Sequence, residues 1–172
     1  MKKMEEEVIS LVKGLEGYLL AVGVDNPKIL NAVINNKKIN QSYSLKNKTK
    51  HDKDSEEITL KKINKKIKIK VNYVLCDIDG IGIYLWSMIR NTYKLVSDKI
   101  IFYGNIDSYD TLKISKKYTR YGSLCDIKRL DDGYLIIVDV TNLKINPFKK
   151  ICYYVIDFLV DIVDAIGNGL MQ

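Results

Sequence analysis

Histidine and cysteine are scarce in this 172-residue chain, and each scarcity argues against a class of chemistry. The lone histidine, His51, lies in the most charged stretch, whereas a Ser-His-Asp triad or a His-based metal site needs imidazole inside a built site. Cys76, Cys125 and Cys152 stand far apart with no Cys-x-x-Cys spacing, so neither a disulfide framework nor a zinc site is expected, and no metal residues are assigned. No apolar run reaches the length of a membrane span, and the first ten residues (MKKMEEEVIS) lack the apolar core of a signal peptide. The expectation is a cytoplasmic protein with reduced thiols and no membrane partner.

Charge is present but local. The formal net charge is +7, and residues 37–70 hold twelve lysines against four acids, so this stretch accounts for the whole excess. It contains no arginine and only Tyr43 as an aromatic, although bidentate recognition of phosphates and bases usually recruits arginine. The stretch therefore reads as a solvated, lysine-rich exposed insert at about 46–66, and nucleic acid is not the expected partner. An apolar fraction of 47% and this length suit a single domain spanning 1–172.

Apolar positions at spacings of three and four from Met4 to Leu15 predict an amphipathic helix over 4–16. Residues 18–24 form an apolar run of strand length. Asp25-Asn26-Pro27 then supplies a cap and a first-turn proline for a helix carrying Ile29, Leu30, Val33 and Ile34. Ile39 to Leu45 predicts a short strand, and Asn72 to Asp77 a buried one, with a helix after Gly82. Lys99 to Gly104 predicts a strand, followed by a helix from Asp107 or Ser108 to Tyr118. Ser123 to Leu130 and Tyr134 to Thr141 flank Asp131-Asp132-Gly133, a hairpin signal. Phe148 to Ile166 predicts an apolar helix with Asp157, Asp161 and Asp164 on one stripe. So wide an apolar surface implies burial on several sides, and a homodimer through 147–166 supplies it.

Alternating strands and helices ending in a hairpin predict an α/β, Rossmann-like three-layer sandwich: a mostly parallel sheet, an antiparallel hairpin and a C-terminal apolar helix. In such sheets ligands bind at the carboxyl ends of strands. That places Asp77 and Asp79 as candidate catalytic carboxylates. Gly23, Asp25, Asn26, Gly80, Tyr103 and Asn105 are the candidate cofactor-binding residues.

This order of elements resembles the class I S-adenosylmethionine (SAM)-dependent methyltransferases. Ala21-Val22-Gly23-Val24-Asp25 stands where that family has its glycine-rich SAM motif, with Ala21 at the place of its acid. No acid stands near Tyr43 to Leu45, where the family grips the SAM ribose. Cys76-Asp77-Ile78-Asp79-Gly80-Ile81-Gly82 stands at its methyl-transfer centre. The same stretch is similar to the Asp-x-Thr-Gly-x-Gly-Gly segment of the archaeal pyridinol methyltransferase family (HcgC), with Asp79 for the Thr and Ile83 for the last Gly. The resemblance implies SAM as cofactor, methyl transfer to a small molecule, and cofactor biosynthesis of an archaeal type; a degenerate methyltransferase-like protein is included in it.

A second stretch, Asn26-Pro27-Lys28 through Ala32-Val33, resembles the start of the inosine-triphosphate pyrophosphatase and Maf-like families, with Lys28 one place early. That resemblance implies a Mg²⁺-dependent nucleotide pyrophosphatase or nucleotidyltransferase, with Asp77 and Asp79 holding the ion. A non-enzymatic dimeric assembly protein is the third reading.

Overall fold

The computed structural model describes residues 3–45, 70–81, 95–120 and 123–141, together with positions 152, 155 and 159. The lysine-rich insert, the helix expected after Gly82 and most of the C-terminal apolar helix lie outside the described residues. In chain order the elements are α1 (Lys3–Lys13), β1 (Gly17–Val22), α2 (Pro27–Asn35), β2 (Ile39–Leu45), β3 (Val71–Asp77), α3 (Ile78–Ile81), β4 (Val96–Gly104), α4 (Ser108–Arg120), β5 (Leu124–Leu130) and β6 (Gly133–Asp139).

The six strands make one sheet in the order β2-β1-β3-β4-β6-β5. β2, β1, β3 and β4 run parallel, whereas β6 pairs antiparallel with both β4 and β5. The central strands read as near-continuous apolar runs because both faces are covered, as parallel sheets require. On one face Leu19, Ala21, Leu75 and Ile101 pack with Val8 and Val12 of α1 and Ile29 and Val33 of α2. On the other, Leu20, Val22, Val74, Cys76, Ile100 and Phe102 pack with Ile78 and Ile81 of α3 and Ile114 and Tyr118 of α4. The α/β Rossmann-like sandwich expected from the sequence is the observed architecture.

Local chemistry explains the boundaries. α1 ends at Lys13, short of the expected Glu16, because Gly14 follows and the side chain of Asn36 claims the freed carbonyls. Its Nδ2 donates to Val12 O at 2.7 Å and to Leu15 O at 3.0 Å. α2 begins where the cap chemistry put it: Asn26 Oδ1 accepts from Lys28 N at 2.9 Å, with Pro27 in the first turn. The starts of the two helices are tied together by Lys28 Nζ to Glu5 Oε1 at 2.9 Å and by Asn26 Nδ2 to Glu5 Oε2 at 3.2 Å. β1 stops at Val22, two residues before the expected end, because Gly23 turns the chain at φ +69°. The hairpin forms as expected, with Asp131 and Asp132 in its turn.

Strand order decides where a ligand belongs. From β1 the chain steps outward to β2, then returns to the far side of β1 for β3. The crevice outside the carboxyl ends of β1 and β3 is therefore the topological switch point, the usual ligand position in open α/β sheets.

Candidate functional site

Asp77 is the last residue of β3 and the cap of α3. Its Oδ1 accepts from Gly80 N at 3.3 Å. That cap starts a helical turn at Ile78, so Asp79 and Gly80 stand in it. Asp77 is half-buried, and burial is the main cause that pushes its pKa up, with the Asp79 charge adding to it. Hydrogen bonding to Gly80 and the neighbouring Tyr103 hydroxyl oppose the rise.

Asp79 is exposed, but one of its oxygens is in use: Oδ2 accepts from Asn105 N at 3.0 Å, which ties the turn after β4 to the start of α3. Register places Asp77 beside Tyr103 on neighbouring strands. The Tyr103 ring belongs to the core between the sheet and the α1–α2 layer, and the residue is 4% exposed. Its hydroxyl lies in the field of Asp77 but completes no hydrogen bond among the described residues, and it retains its proton far above the ordinary tyrosine range. Burial is the first cause, then the charge of Asp77, with Asp25 among the smaller ones.

Gly23 and Gly80 draw the two turns of the switch point together. A Cβ on Gly80 would lie 2.0 Å from the Gly23 carbonyl oxygen, and one on Gly23 would lie 2.8 Å from Ile81 Cγ1 and 3.0 Å from Asp77 O. Only two glycines allow backbone to meet backbone here. Gly133 packs on Gly104 in the same manner, so the turns at this edge of the sheet rest directly on one another.

The structure thus brings Gly23, Asp25, Asp77, Asp79, Gly80, Tyr103 and Asn105 to one edge of the sheet. Asp25 is exposed at the switch point, and no hydrogen bond among the described residues employs it. Asn26 is at the same edge, but both ends of its amide are engaged, with Lys28 and Ile29 on one side and Glu5 on the other.

Sequence reasoning took Asp132 for a turn residue only. Its two carboxylate oxygens are shielded from solvent and have no hydrogen-bond partner among the described residues. It also missed the hydroxyl pair Ser108–Tyr134, 3.0 Å apart at the start of α4 and β6. No local sequence signal marks either, because both depend on where the hairpin folds back. A groove of about 440 Å³ between α1 and α2, lined in part by Lys13, Lys28, Asn31 and Lys37, shares none of these edge residues. Lys13 and Lys37 stand at or just beyond the helix ends, where the dipole favours cations.

SAM carries a ribose diol, an ammonium group and a sulfonium cation, and all three suit carboxylate partners. The donor set of this edge fits such a ligand through Asp25 and Asp77, the first exposed and the second with an oxygen outside its capping bond.

No protein-family model matches the sequence, and neither does any curated protein. Solved structures do match in fold. An O-methyltransferase family protein from Burkholderia thailandensis superposes with a TM-score of 0.59 at 10% identity, over 79% of this chain and 54% of that one. This chain therefore spans about half the length of that relative. Precorrin 8w decarboxylase from Methanobacterium thermoautotrophicum gives a TM-score of 0.54 at 12% identity, over 77% and 88%. TrmK of M. capricolum, in complex with the cofactor product S-adenosylhomocysteine, gives 0.52 at 12% identity, over 95% and 86%. At such identities the likeness is one of fold, which methyltransferases share with a decarboxylase. Function has to be argued from the site.

Proposed function

We propose that this chain is a SAM-dependent methyltransferase of the class I type, acting on a small molecule. The observation that carries the reading is the meeting of Asp25, Asp77 and Asp79 at the switch point between β1 and β3, beside the Gly23 turn. SAM supplies an electrophilic methyl group when bound. Asp25 holds the ribose diol, taking the place of the acid absent from the end of β2. Asp77 takes the proton that the acceptor gives up, and a partly desolvated carboxylate is a stronger base than an exposed one. Asp79 braces the turn at Asn105 that walls the acceptor side. A hydroxyl-bearing ring of the pyridinol kind meets these demands, because its hydroxyl can give a proton to Asp77.

The Mg²⁺-nucleotide reading needs Asp77 and Asp79 to share an ion. One oxygen of each is already bonded to a backbone N–H, and among the described residues no group of three or more His, Cys, Asp or Glu is arranged to hold a metal. Calorimetry separates the readings. S-adenosylhomocysteine is expected to bind without Mg²⁺, and Asp25→Ala to weaken it at least about tenfold, the loss of a charge-assisted hydrogen bond. Binding of GTP or ITP that requires Mg²⁺, with none of S-adenosylhomocysteine, would replace the proposal.

The protein also works as a dimer in this reading. Cys152, Val155 and Leu159 are helical, and their spacing of three and four aligns them on one side. All three are exposed, Val155 and Leu159 each at 53%. Sedimentation velocity at micromolar concentration is expected to show a dimer that Leu159→Glu dissociates; a wild-type monomer would sink this point. No helix among the described residues is long and apolar enough to cross a membrane.

A further inference from the structure

α1 and α2 lie side by side, start beside start and end beside end. Glu5 of α1 holds the start of α2, with Lys28 Nζ at 2.9 Å and Asn26 Nδ2 at 3.2 Å from its carboxylate oxygens. Asn36 closes the other end by donating to Val12 O and Leu15 O. Bonds of the fold itself therefore set both walls of the groove of about 440 Å³ that runs between the helices. Ile9 and Ala32 give it apolar surface, and both rest on the core beneath the α1–α2 layer. Ala32 is too short to fill the space between its neighbours.

The polar lining carries charge of one sign. Lys13, Lys28 and Lys37 are its ionisable side chains, and no acid stands among its described lining residues. Other lysines around these helices find acids: Lys38 has Glu16 at 2.7 Å, and Lys128 has Glu7. Lys13 and Lys37 make no ion pair among the described residues, and Lys28 has donors to spare beside its bond to Glu5. The helix dipole accounts for Lys13 and Lys37 at the carboxyl ends. It does not account for Lys28 in the first turn of α2, where the dipole opposes a cation. Asn31 and Asn35, four apart on one side of α2, carry amides that no hydrogen bond among the described residues uses.

We propose that this groove is a second binding site, for a phosphate ester of nucleotide size. The two unpaired ammonium groups neutralise the phosphate, and Lys28 adds a donor. Lysine suits this task, because a point charge holds phosphate without the forked geometry for which arginine is selected. The amides of Asn31 and Asn35 each offer a donor and an acceptor to the edge of a heterocycle, while Ile9 and Ala32 take its face. The volume falls within the usual range for small-molecule pockets. Binding here needs no Mg²⁺, since the side chains already supply the positive charge. Asp25, Asp77 and Asp79 do not line the groove, so the proposal does not depend on what the switch point binds.

Backbone amide NMR of the full chain, with EDTA present, tests this. UMP is the probe because it shares no base with SAM. It is expected to shift the resonances of Lys13, Asn31, Asn35 and Lys37, less so in high salt, whereas uridine leaves them in place. Lys13→Glu combined with Lys37→Glu, both at exposed positions, should weaken UMP at least about tenfold. The shifts in the unaltered protein need no variant to fold. Hexauridylate distinguishes two sources of the same chemistry. Binding through the same residues and more than about tenfold tighter supports the site and assigns its phosphate to a nucleic-acid strand; equal affinity supports it and assigns a free nucleotide. Absence of shifts at millimolar UMP, shifts confined to other residues, identical shifts with uridine, or a double variant that binds UMP unchanged would each overturn the proposal. S-adenosylhomocysteine added to separate samples decides the methyltransferase reading independently, by shifts at the switch point.

Discussion

Gly80→Ala is expected to cost about 3 kcal/mol or more and to lower the melting temperature by about 6–12 °C, because the added methyl group meets backbone and not a flexible side chain. Its Cβ would stand 2.0 Å from the Gly23 carbonyl oxygen and 2.9 Å from the Gly23 carbonyl carbon, so the turns after β1 and β3 must part. Neither can retreat easily. Gly23 is backed by Ile81 and the Asp77 carbonyl, and α3 is anchored by buried Ile78 and Ile81. The separation also spoils the Asp77 cap, whose donor is the Gly80 N–H. Ligand binding at the switch point is therefore expected to fail with the fold. Gly14→Ala is the control: its Cβ would meet only Leu11 O at 3.4 Å, an ordinary contact, and the change should be neutral or stabilising by up to about 1 kcal/mol. Thermal unfolding of the two variants side by side checks the contrast. Equal melting temperatures would mean that the Gly23–Gly80 contact is not a constraint of the native state.

Most of the sheet was legible in the sequence because its signals are local. Apolar runs marked β1, β3 and β4; Asn26-Pro27 marked the start of α2; Asp131-Asp132-Gly133 marked the hairpin. The start of α3 was not legible, and the reason is physical. Ile78-Asp79-Gly80-Ile81 holds a glycine and a β-branched residue at each end, poor helix formers, and it is helical because Asp77 caps it and Ile78 and Ile81 are buried. The candidate site shows the same division. That Asp77 ends a central strand and Asp79 follows just after it is readable from pattern alone. That they do different work does not: Asp79 is tied to Asn105, 26 residues on, and Asp77 faces Tyr103, also 26 residues on, through a register only the folded sheet defines. The Gly23–Gly80 contact is longer in range still, and two isolated glycines carry no sign of each other.

On the proposed methyltransferase reading, Asp77→Asn is expected to reduce methyl transfer by about 10²–10⁴-fold, the usual worth of a general base, while leaving the fold at least as stable at neutral pH. The sign follows from burial. A carboxyl group in the unfolded chain has a pKa of about 3.8, and in the folded protein that of Asp77 is raised. The native state thus binds this proton more tightly than the unfolded chain does. The stability so gained is fully present below the unfolded value and is lost as pH rises through the folded one. Above that window the ionised Asp77 is a burden that asparagine does not carry. The cap survives the change, since asparagine is as good an N-cap as aspartate. Thermal unfolding from pH 3 to pH 8 should show the variant gaining on the native protein as pH rises through and above the Asp77 midpoint. A variant less stable at neutral pH would show that the charge on the Gly80 bond outweighs its desolvation, and would make Asp77 a structural cap. A more stable variant that has lost its activity would show the opposite: a carboxylate kept in an unfavourable place for the chemistry it performs.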